Sequence, residues 1–379
     1  MKNGWKTMKL GDVCDFEGGS QPPKSQFVYE EKPGYVRFLQ IRDFGSNKNV
    51  TFIPQSKKNR QCVKHDILIG RYGASVGKIL TNKAGAYNVA MMKTIPNLEV
   101  LNQSWFYNYL ISDEFQSHLL RVADRSAQAG FSKDDIYNFP VPVPPLPEQQ
   151  RIVGILDEAF EGIATAKDNA EKNFQNARAL FESHLHSVFT QRGKGWEEKT
   201  LNQISENLDS KRVPITKNVR SSGSYPYYGA SGIVDYVDEY IFDGDLLLVS
   251  EDGANLLART YPIAFSISGK TWVNNHAHVL RFENTASQRF VELYLNSIKL
   301  DDYVSGMAQP KLNQKMLNSI AIPFPELKIQ KQIVAKLDAL SAETQHLESI
   351  YQQKLAAMEA LKKSLLHQAF TGQLAGASV

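Results

Sequence analysis

Cysteine is scarce in this sequence of 379 residues, which contains only Cys14 and Cys62. Their spacing matches no metal-ligand motif, so we predict neither structural zinc nor a disulfide, and the low cysteine content favours a reducing compartment. No apolar run approaches the roughly 18 residues of a membrane span, and the N-terminal stretch lacks the apolar core of a signal peptide. We therefore expect a cytoplasmic protein that does not enter a membrane.

A large excess of charge of one sign is also missing, because 43 basic and 40 acidic residues leave a net charge of +3. Any surface that binds nucleic acid would have to be a local patch instead of a field over the whole molecule. The hydrophobic content of 42% and the aromatic content of 10% are those of an ordinary globular protein. The length is sufficient for two or three domains with buried cores.

The familiar catalytic motifs are absent. The segment 73–78 (GASVGK) resembles a phosphate-binding loop, but three residues instead of four separate its glycines, and Ile79 follows the lysine. There is no H-E-x-x-H pair, dinucleotide fingerprint or methyltransferase N-P-P-[FY] tetrapeptide. Glu251 and Asp252 form an acidic pair without the further carboxylates and lysine of a nuclease. We predict that this chain is not an enzyme.

Two histidines, His276 and His278, lie two residues apart in NNHAH (274–278). On a strand both side chains would face the same side, where they could bind a metal ion. No third ligand lies close by in the sequence, so a hydrogen-bonding or structural role is favoured over a metal site. We predict no metal in this chain.

The chain repeats itself, which decides most of its organisation. A fixed offset of 181 residues aligns Pro142 with Pro323, Gln149 with Gln330, Ile152 with Ile333, Leu156 with Leu337 and Thr190 with Thr371. The halves open on Trp5-x4-Leu10 and Trp196-x4-Leu201, which are 191 residues apart. We predict a first globular domain at 1–144, a central helix at 145–190, a second globular domain at 191–324, a C-terminal helix at 325–374 and a tail at 375–379.

The globular parts show a mixture of short strands and helices, which predicts an α+β fold. Apolar runs of strand length occur at 66–73 and 243–253, and the alternating segment 272–282 also predicts a strand. Apolar residues recur at helical spacing in 104–120 and 289–298.

Heptad seams run along both long helices. The first seam contains Ile152, Leu156, Ala159, Ile163, Ala166, Ala170, Ala177 and Leu180, and the second contains Ile333, Leu337, Leu340, Thr344, Leu347, Tyr351, Met358 and Leu365. Two such helices in one chain most simply pack on each other. The alternative is an intermolecular coiled coil that makes an oligomer.

Basic, aromatic and amide residues lie beside glycine-containing turns in both halves. They are Lys24, Arg71, Tyr72, Ser75 and Lys78 in the first half, and Lys211, Arg212, Tyr227, Tyr228, Ser231, Asn274, Asn275 and His276 in the second. Side chains of these types bind phosphates and read base edges. Solvated turns explain any single group equally well, so we treat them together as candidate DNA-binding residues.

The sequence resembles the specificity (S) subunits of type I restriction–modification systems. The resemblance is carried by P-L-P-E-Q-Q-R-I-V-x-x-L-D at 145–157, its echo P-E-L-x-I-Q-K-Q-I-V-A-K-L-D at 325–338, L-L-H-Q-A-F-T-G-Q-L at 365–374, the W-x4-L openings and Y-G-A-S-G at 228–232. It extends over the whole chain. The first half departs from it, because it offers only R-Y-G-A-S at 71–75, in a different context.

The resemblance implies two target-recognition domains, each reading one part of a bipartite, asymmetric double-stranded DNA site, with an antiparallel coiled coil that sets the gap. It further implies that two methyltransferase (modification) subunits dock on the helical regions and that a restriction ATPase-translocase joins the assembly. The residues of these regions are Gln149, Ile152, Leu156, Gln330, Ile333, Leu337 and Leu347. S-adenosylmethionine, ATP and magnesium would belong to the partners, with no cofactor in this chain.

Two other functions remain open on the residues alone. One is a coiled-coil scaffold whose globular domains bind proteins and have no DNA specificity. The other is a fused methyltransferase or nuclease, which the missing motifs disfavour.

Overall fold

The computed structural model describes residues 4–124, 130–306 and 309–376. The chain forms two compact units: Met1–Ala170 with Gln353–Val379, and Glu171–Gln352. Both units mix helices with short strands, so the predicted α+β class is confirmed. The predicted domain boundaries are not tested and stay predictions, and most of the predicted tail at 375–379 lies outside the described residues.

The strands of the first unit are β1 (Lys6–Lys9), β2 (Cys14–Gly18), β3 (Tyr35–Leu39), β4 (Phe52–Pro54), β5 (Gln61–Cys62), β6 (Leu68–Gly70), β7 (Ile79–Leu80), β8 (Gly85–Tyr87), β9 (Met91–Pro96) and β10 (Pro140–Val143). Those of the second unit are β11 (Glu197–Thr200), β12 (Ser205–Asn207), β13 (Ser222–Gly229), β14 (Gly232–Val237), β15 (Leu246–Ser250), β16 (Ala264–Ile267), β17 (Trp272–Val273), β18 (Ala277–Phe282) and β19 (Ala321–Phe324).

The helices, in chain order, are α1 (Leu10–Val13), α2 (Gln103–Ile111), α3 (Asp113–Ala123), α4 (Lys133–Tyr137), α5 (Leu146–Thr190), α6 (Leu201–Ile204), α7 (Asn255–Ala258), α8 (Thr285–Ser297), α9 (Gln314–Asn318) and α10 (Leu327–Phe370). The helices predicted at 104–120 and 289–298 are therefore confirmed, the first as two helices that meet at Ser112. The strands predicted at 66–73 and 243–253 are confirmed as β6 and β15.

The internal repeat is visible in the sheets. One sheet has the order β2-β9-β6-β7 in the first unit and β12-β18-β15-β16 in the second, and its described pairs are antiparallel. A further sheet, β4-β3-β8-β5 in the first unit and β14-β13-β17 in the second, contains one parallel pair each time, β3 with β8 and β13 with β17. The two halves therefore fold in the same way.

A two-stranded sheet joins the beginning and the end of the globular part in each unit. Lys6 pairs with Val143 where β1 meets β10, and Glu197 pairs with Phe324 where β11 meets β19. These pairs hold the opening of each half against its proline-rich elbow. The long helix of that half begins directly after the elbow.

The segment 272–282 is not one strand, which corrects the prediction. Trp272–Val273 pairs with β13, whereas Ala277–Phe282 pairs with β12 and β15 in the other sheet. Asn274 interrupts the segment, because its N–H donates to the carbonyl of Tyr228 at 3.0 Å and its Oδ1 accepts from the N–H of His276 at 2.8 Å. This side-chain turn moves the chain from one sheet to the other.

An aromatic residue at the end of each long helix completes the core of one unit. In the first unit, the ring of Phe370 packs edge-on at 5.2 Å from Trp105 and 5.6 Å from Tyr109. In the second, the ring of Phe189 packs edge-on at 5.3 Å from Phe290 and 5.2 Å from Tyr294. Phe189 and Phe370 are related by the 181-residue offset, so the repeat extends to core packing.

The long helices pair antiparallel inside each unit. In the first unit, Lys167 forms an ion pair with Glu359 at 2.8 Å, and the ammonium of Lys362 lies 5.1 Å from the ring of Phe160. In the second, Arg178 pairs with Glu348 at 2.7 Å, and the end of α5 packs in one core with the start of α10. The predicted intramolecular antiparallel pairing is confirmed.

One residue of the predicted seam is misplaced. Leu180 is 63% exposed, while its neighbour Phe181 packs against the core of the second unit. Ala170, Ala177, Leu337 and Thr344 are buried as the seams require. The straight α-helix drifts relative to a strict heptad, which moves the contact from position 180 to 181.

Cys14 and Cys62 are both free and buried, which confirms the prediction that they form no disulfide. Burial raises the pKa of Cys14 to about 12 and that of Cys62 to about 11. Since the thiolate is the reactive form, both thiols behave as small apolar side chains.

Candidate nucleic-acid interface

Four connections of the first unit, which follow strands of two different sheets, are joined by backbone hydrogen bonds to one another or to the ends of those strands. The N–H of Ser20 donates to the carbonyl of Tyr87 at 3.1 Å, that of Arg71 to Ala90 at 2.9 Å, and that of Asn88 to Leu39 at 3.1 Å. We call these connections the first loop cluster (residues 19–27, 40–44, 71–78 and 88–90). It gathers the loops that follow β2, β3, β6 and β8.

The second unit builds the same arrangement. The N–H of Asn274 donates to the carbonyl of Tyr228 at 3.0 Å, that of Glu251 to His276 at 2.9 Å, and Ser250 Oγ to Ala230 at 2.5 Å. We call it the second loop cluster (residues 208–213, 229–232, 251–255 and 274–276). It gathers the connections after β12, β13, β15 and β17.

These bonds decide which residues of the halves are equivalent. Arg71 and Glu251 each follow the matching strand, β6 or β15, and each donates its N–H across the cluster to Ala90 or His276. R-Y-G-A-S at 71–75 therefore corresponds to E-D-G-A-N at 251–255. Y-G-A-S-G at 228–232 is instead the hairpin between β13 and β14.

The first loop cluster exposes cations and an aromatic ring. The guanidinium of Arg71 lies 5.0 Å from the ring of Tyr72, which is 40% exposed, and its Nε donates to the carbonyl of Phe131 at 3.2 Å. Lys78 is exposed and Ser75 is half-buried on the same loop, and Lys24 is exposed on the neighbouring loop. The structure therefore places four of the five predicted residues of the first half on the loop 71–78, and the fifth, Lys24, on the loop 19–27.

In the second loop cluster, Lys211, Ser231, Asn275 and His276 are exposed and Tyr228 is half-buried. Burial raises the pKa of Tyr228, whose ring lies 6.2 Å from that of Phe265. The side chain of Asn274 is used by the turn described above and is only 7% exposed. These residues surround the β13–β14 hairpin and the 274–276 turn.

Besides Asn274, two further predicted contact residues need correction. Tyr227 is 1% exposed, and its hydroxyl accepts from the N–H of Ile215 at 3.1 Å while the guanidinium of Arg220 lies 4.3 Å from its ring. Arg212 donates to Glu251 Oε2 at 2.6 Å and to the carbonyl of Ala277 at 2.7 Å, with 12% of its side chain exposed. Both side chains are occupied inside the unit and support the loops.

A charged network that the sequence did not reveal holds the second loop cluster together. Buried His278 bonds Asp209 Oδ2 through Nδ1 at 2.6 Å and the carbonyl of Leu312 through Nε2 at 2.7 Å. Glu251 joins it through Arg212 and through Lys311 at 3.2 Å. The structural role predicted for His278 is confirmed, but Asp209 and Lys311 carried no local signal.

The residues assigned to partner docking lie largely inside the chain. Gln149 is fully buried: its Oε1 accepts from the N–H of Asn102 at 2.7 Å, and its Nε2 donates to the carbonyls of Val100 and Pro144, both at 2.8 Å. Gln330, 1% exposed, accepts from Ser287 Oγ at 2.7 Å and donates to the carbonyl of Pro325 at 2.6 Å. The glutamines fix the first turn of each long helix to its own unit, so neither presents its amide to a partner.

The apolar members of that set are also used internally. Ile152, Leu156 and Leu337 are fully buried in the cores of their units, and Ile333 and Leu347 are half-buried. A partner would have to contact other faces of the helices. The predicted assignment of Ile152, Leu156 and Leu337 to a docking surface is therefore corrected, whereas the roles of Ile333 and Leu347 stay predictions.

Among the residues that the structure describes, no three His, Cys, Asp or Glu side chains are grouped so that they could hold a metal ion. None of the described helices is long and apolar enough to cross a membrane.

Comparisons with known proteins agree with this geometry. A predicted type I restriction enzyme specificity subunit of Haemophilus influenzae is 36% identical over 170 residues, which cover 45% of this chain and 42% of that protein. The MjaVIII specificity subunit of Methanocaldococcus jannaschii is 21% identical over 408 aligned positions, which cover 98% of this chain and 93% of that protein. A solved chain from a study of type I restriction–modification assembly and conformational transition shares the fold, with a TM-score of 0.79, 18% identity and 98% coverage of both chains.

The family profile covers both halves. Methylase_S, described as the type I restriction modification DNA specificity domain, matches residues 2–172 and 193–356. The two matches coincide with the two copies of the sheet order and of the loop cluster. The chain belongs to the family of type I restriction–modification DNA specificity proteins.

Proposed function

We propose that this chain reads DNA sequence for a type I restriction–modification complex and that each unit reads one half of a bipartite, asymmetric site. The observation that supports this most directly is the pair of loop clusters. The same framework carries Tyr72 and Ala90 in the first unit and Asp252 and the exposed His276 in the second. Two domains that read different DNA sequences require a common framework with different side chains at its exposed positions.

The exposed side chains suit both kinds of DNA contact. Lys24, Lys78 and Lys211 are exposed cations that can bind phosphates, which fixes register without reading sequence. Arg71, Asn275 and His276 carry hydrogen-bonding groups that can meet base edges in the major groove. The division into positioning and reading contacts is part of the proposal.

The paired helices would keep both units on one duplex. Binding of one unit raises the effective concentration of the other near its half-site, so the bipartite site binds more tightly than either half alone. Their length would fix the gap between the half-sites.

Catalysis is assigned to partners, because the sequence lacks the motifs of methyltransferases and nucleases. We propose that two modification subunits dock on the exposed faces of the helical regions and bring S-adenosylmethionine. A restriction–translocase subunit would add ATP and magnesium chemistry, and the assembly would act in the cytoplasm, where the DNA is. The comparisons give no support to a protein-binding scaffold.

The test is selection from a random DNA pool by the chain reconstituted with a modification subunit from the same source. We expect a bipartite consensus with a fixed gap, and binding that weakens steeply with added salt because phosphate contacts release counterions. The modification subunit alone is the control. Binding without sequence preference would contradict the proposal.

A further inference from the structure

His276 and Asp252 form a bonded pair at the exposed edge of the second loop cluster. Nδ1 of His276 lies 2.8 Å from Oδ2 and 3.0 Å from Oδ1 of Asp252. The backbone is also fixed, because the N–H of His276 donates to Asn274 Oδ1 and its carbonyl accepts from Glu251. The ring is therefore held in one place by groups from two loops.

The bond to Asp252 sets the tautomer of the neutral ring. A carboxylate can only accept, so Nδ1 must carry the proton, and Nε2 is left as an acceptor. Among the residues that the structure describes, none bonds Nε2. With 51% of the His276 side chain and 19% of the Asp252 side chain exposed, the acceptor is presented to solvent while its positioning partner is mostly covered.

The first unit has no such pair. The equivalents of His276 and Asp252 are Ala90 and Tyr72, by the matching backbone bonds of Glu251 and Arg71. The histidine–aspartate pair therefore belongs to what distinguishes the second loop cluster from the first. His278 differs from His276, since both of its ring nitrogens are bonded inside the unit.

We propose that His276 is a specificity-determining residue of the second unit and that Asp252 positions it, so that Nε2 accepts a hydrogen bond from an exocyclic amino group. In the major groove, adenine N6 and cytosine N4 are the amino donors, whereas guanine O6 and thymine O4 are acceptors and are rejected. The inference rests on the proposed function and adds the base class read at one position.

The first experiment repeats the pool selection with the full chain and a modification subunit, using His276→Ala and Asp252→Asn. At one position of one half-site, wild type should select adenine or cytosine, and His276→Ala should lose about tenfold of that preference, equal to about 1.4 kcal/mol. Asp252→Asn frees the ring to take either tautomer, so guanine or thymine should become accepted there. A merely structural pair would not exchange one base class for another.

The matched controls are His65→Ala and Asp302→Asn, two exposed residues that lie outside both loop clusters and outside the long helices. They should leave every position unchanged. If wild type selects a bipartite site and both test variants select the same site unaltered, the inference is wrong and the proposed function stands. If wild type selects no sequence, both the inference and the proposed function are wrong.

A second measurement is independent of DNA. Nitrogen-15 NMR of histidine-labelled full-length chain should show the neutral ring of His276 with a protonated Nδ1 and an unprotonated Nε2, and Asp252→Asn should shift the two signals toward each other. A protonated Nε2 beside an unprotonated Nδ1 in wild type would overturn the inference.

Discussion

Gln149 and Gln330 make the same kind of bond in the two units, although their remaining partners differ. Each amide donates to a proline carbonyl of its own elbow, Pro144 or Pro325. Each Oε1 then accepts from the globular part, from the N–H of Asn102 in one unit and the hydroxyl of Ser287 in the other. At the scale of single residues, these amides join helix to domain.

Replacing Gln149 with alanine should destabilise the first unit. The substitution leaves Asn102 N–H and the carbonyls of Val100 and Pro144 without their partner, and each buried polar group left unpaired costs about 1–3 kcal/mol. The free energy of unfolding in urea measures the loss. Gln150→Ala, at an exposed neighbouring position, is the control and should change stability by about 0.5 kcal/mol at most. Equal effects of the two variants would show that the hydrogen bonds of Gln149 do not stabilise the first unit.

Acid should weaken the second unit through Asp209 and Glu251. Burial raises the pKa of both carboxyls, but hydrogen bonds and charges outweigh it, from His278 first for Asp209 and from Arg212 first for Glu251, so both pKa values are lowered. A folded pKa below the unfolded one gives stability that is complete above the ordinary values of 3.8 and 4.5, and that is lost as the pH falls below them and through the lowered pKa values of the folded chain. Unfolding free energies between pH 7 and pH 3 should show this fall.

The matched variant for that series is Glu251→Gln. It should have lower stability at pH 7 and a shallower decline with acid, because one of the two titrating groups has been removed. A decline as steep as that of wild type would show that Glu251 does not contribute.

The sequence predicted some residue roles and missed others for identifiable reasons. The 181-residue offset singles out Gln149 and Gln330. Their partners Asn102 and Ser287 lie outside the aligned motif, so the hydrogen bonds between them could not be predicted from the sequence. Tyr227 and Tyr228 are adjacent in the sequence, and only the pleat of β13 buries the first and leaves the second half-exposed. The side-chain types predicted which segments form the candidate DNA-binding surface, but burial in the fold determines which of their residues are exposed there.

At the scale of elements, the long helices were the easiest part to predict. Heptad periodicity needs only local spacing, and it predicted that the two helices pack on each other. The resemblance implied the antiparallel direction, which Lys167–Glu359 and Arg178–Glu348 show within their units. The break between β17 and β18 was missed because alternation continues through Asn274, while the turn depends on a bond to Tyr228, far away in the sequence.

Leu337 and Leu180 provide a direct comparison within the second unit. Leu337 is fully buried and Leu180 is 63% exposed, although both were assigned to a seam. Leu337→Ala should lower the free energy of unfolding by about 2–5 kcal/mol through lost burial and a cavity, whereas Leu180→Ala should change it by about 0.5 kcal/mol at most. Similar losses for both variants, measured by urea unfolding, would contradict the placement of the seam.

At the scale of the whole molecule, the chain contains the same fold twice, and the two copies differ in the exposed side chains of their loop clusters. Four features recur in both units: the sheet order, the two-stranded sheet, the phenylalanine at the end of a long helix, and the glutamine whose side chain bonds the helix to the globular part. The repeat was foreseeable because the motifs that stabilise the fold are similar in both halves. The recognised bases were not, because they depend on residues at which the halves differ.

Inserting one heptad into each long helix, after Ala170 and after Gln352, should lengthen the gap between half-sites. Seven residues add about 10 Å to a helix, which corresponds to about three base pairs at 3.4 Å each. Pool selection should return both half-sites unchanged with the longer gap. Insertion into one helix alone should lower stability, since it breaks the pairing; an unchanged gap in the double insertion would show that the helices do not set it.

The central claim is that each unit reads its own half of the site, and a domain exchange tests it most directly. Residues 1–144 would be replaced by the first domain of a family member with a different target, and the sequence selected by the reconstituted complex would be determined. The account predicts that one half-site changes to that of the donor while the other half-site is retained. A change in both half-sites, or in neither, would contradict it.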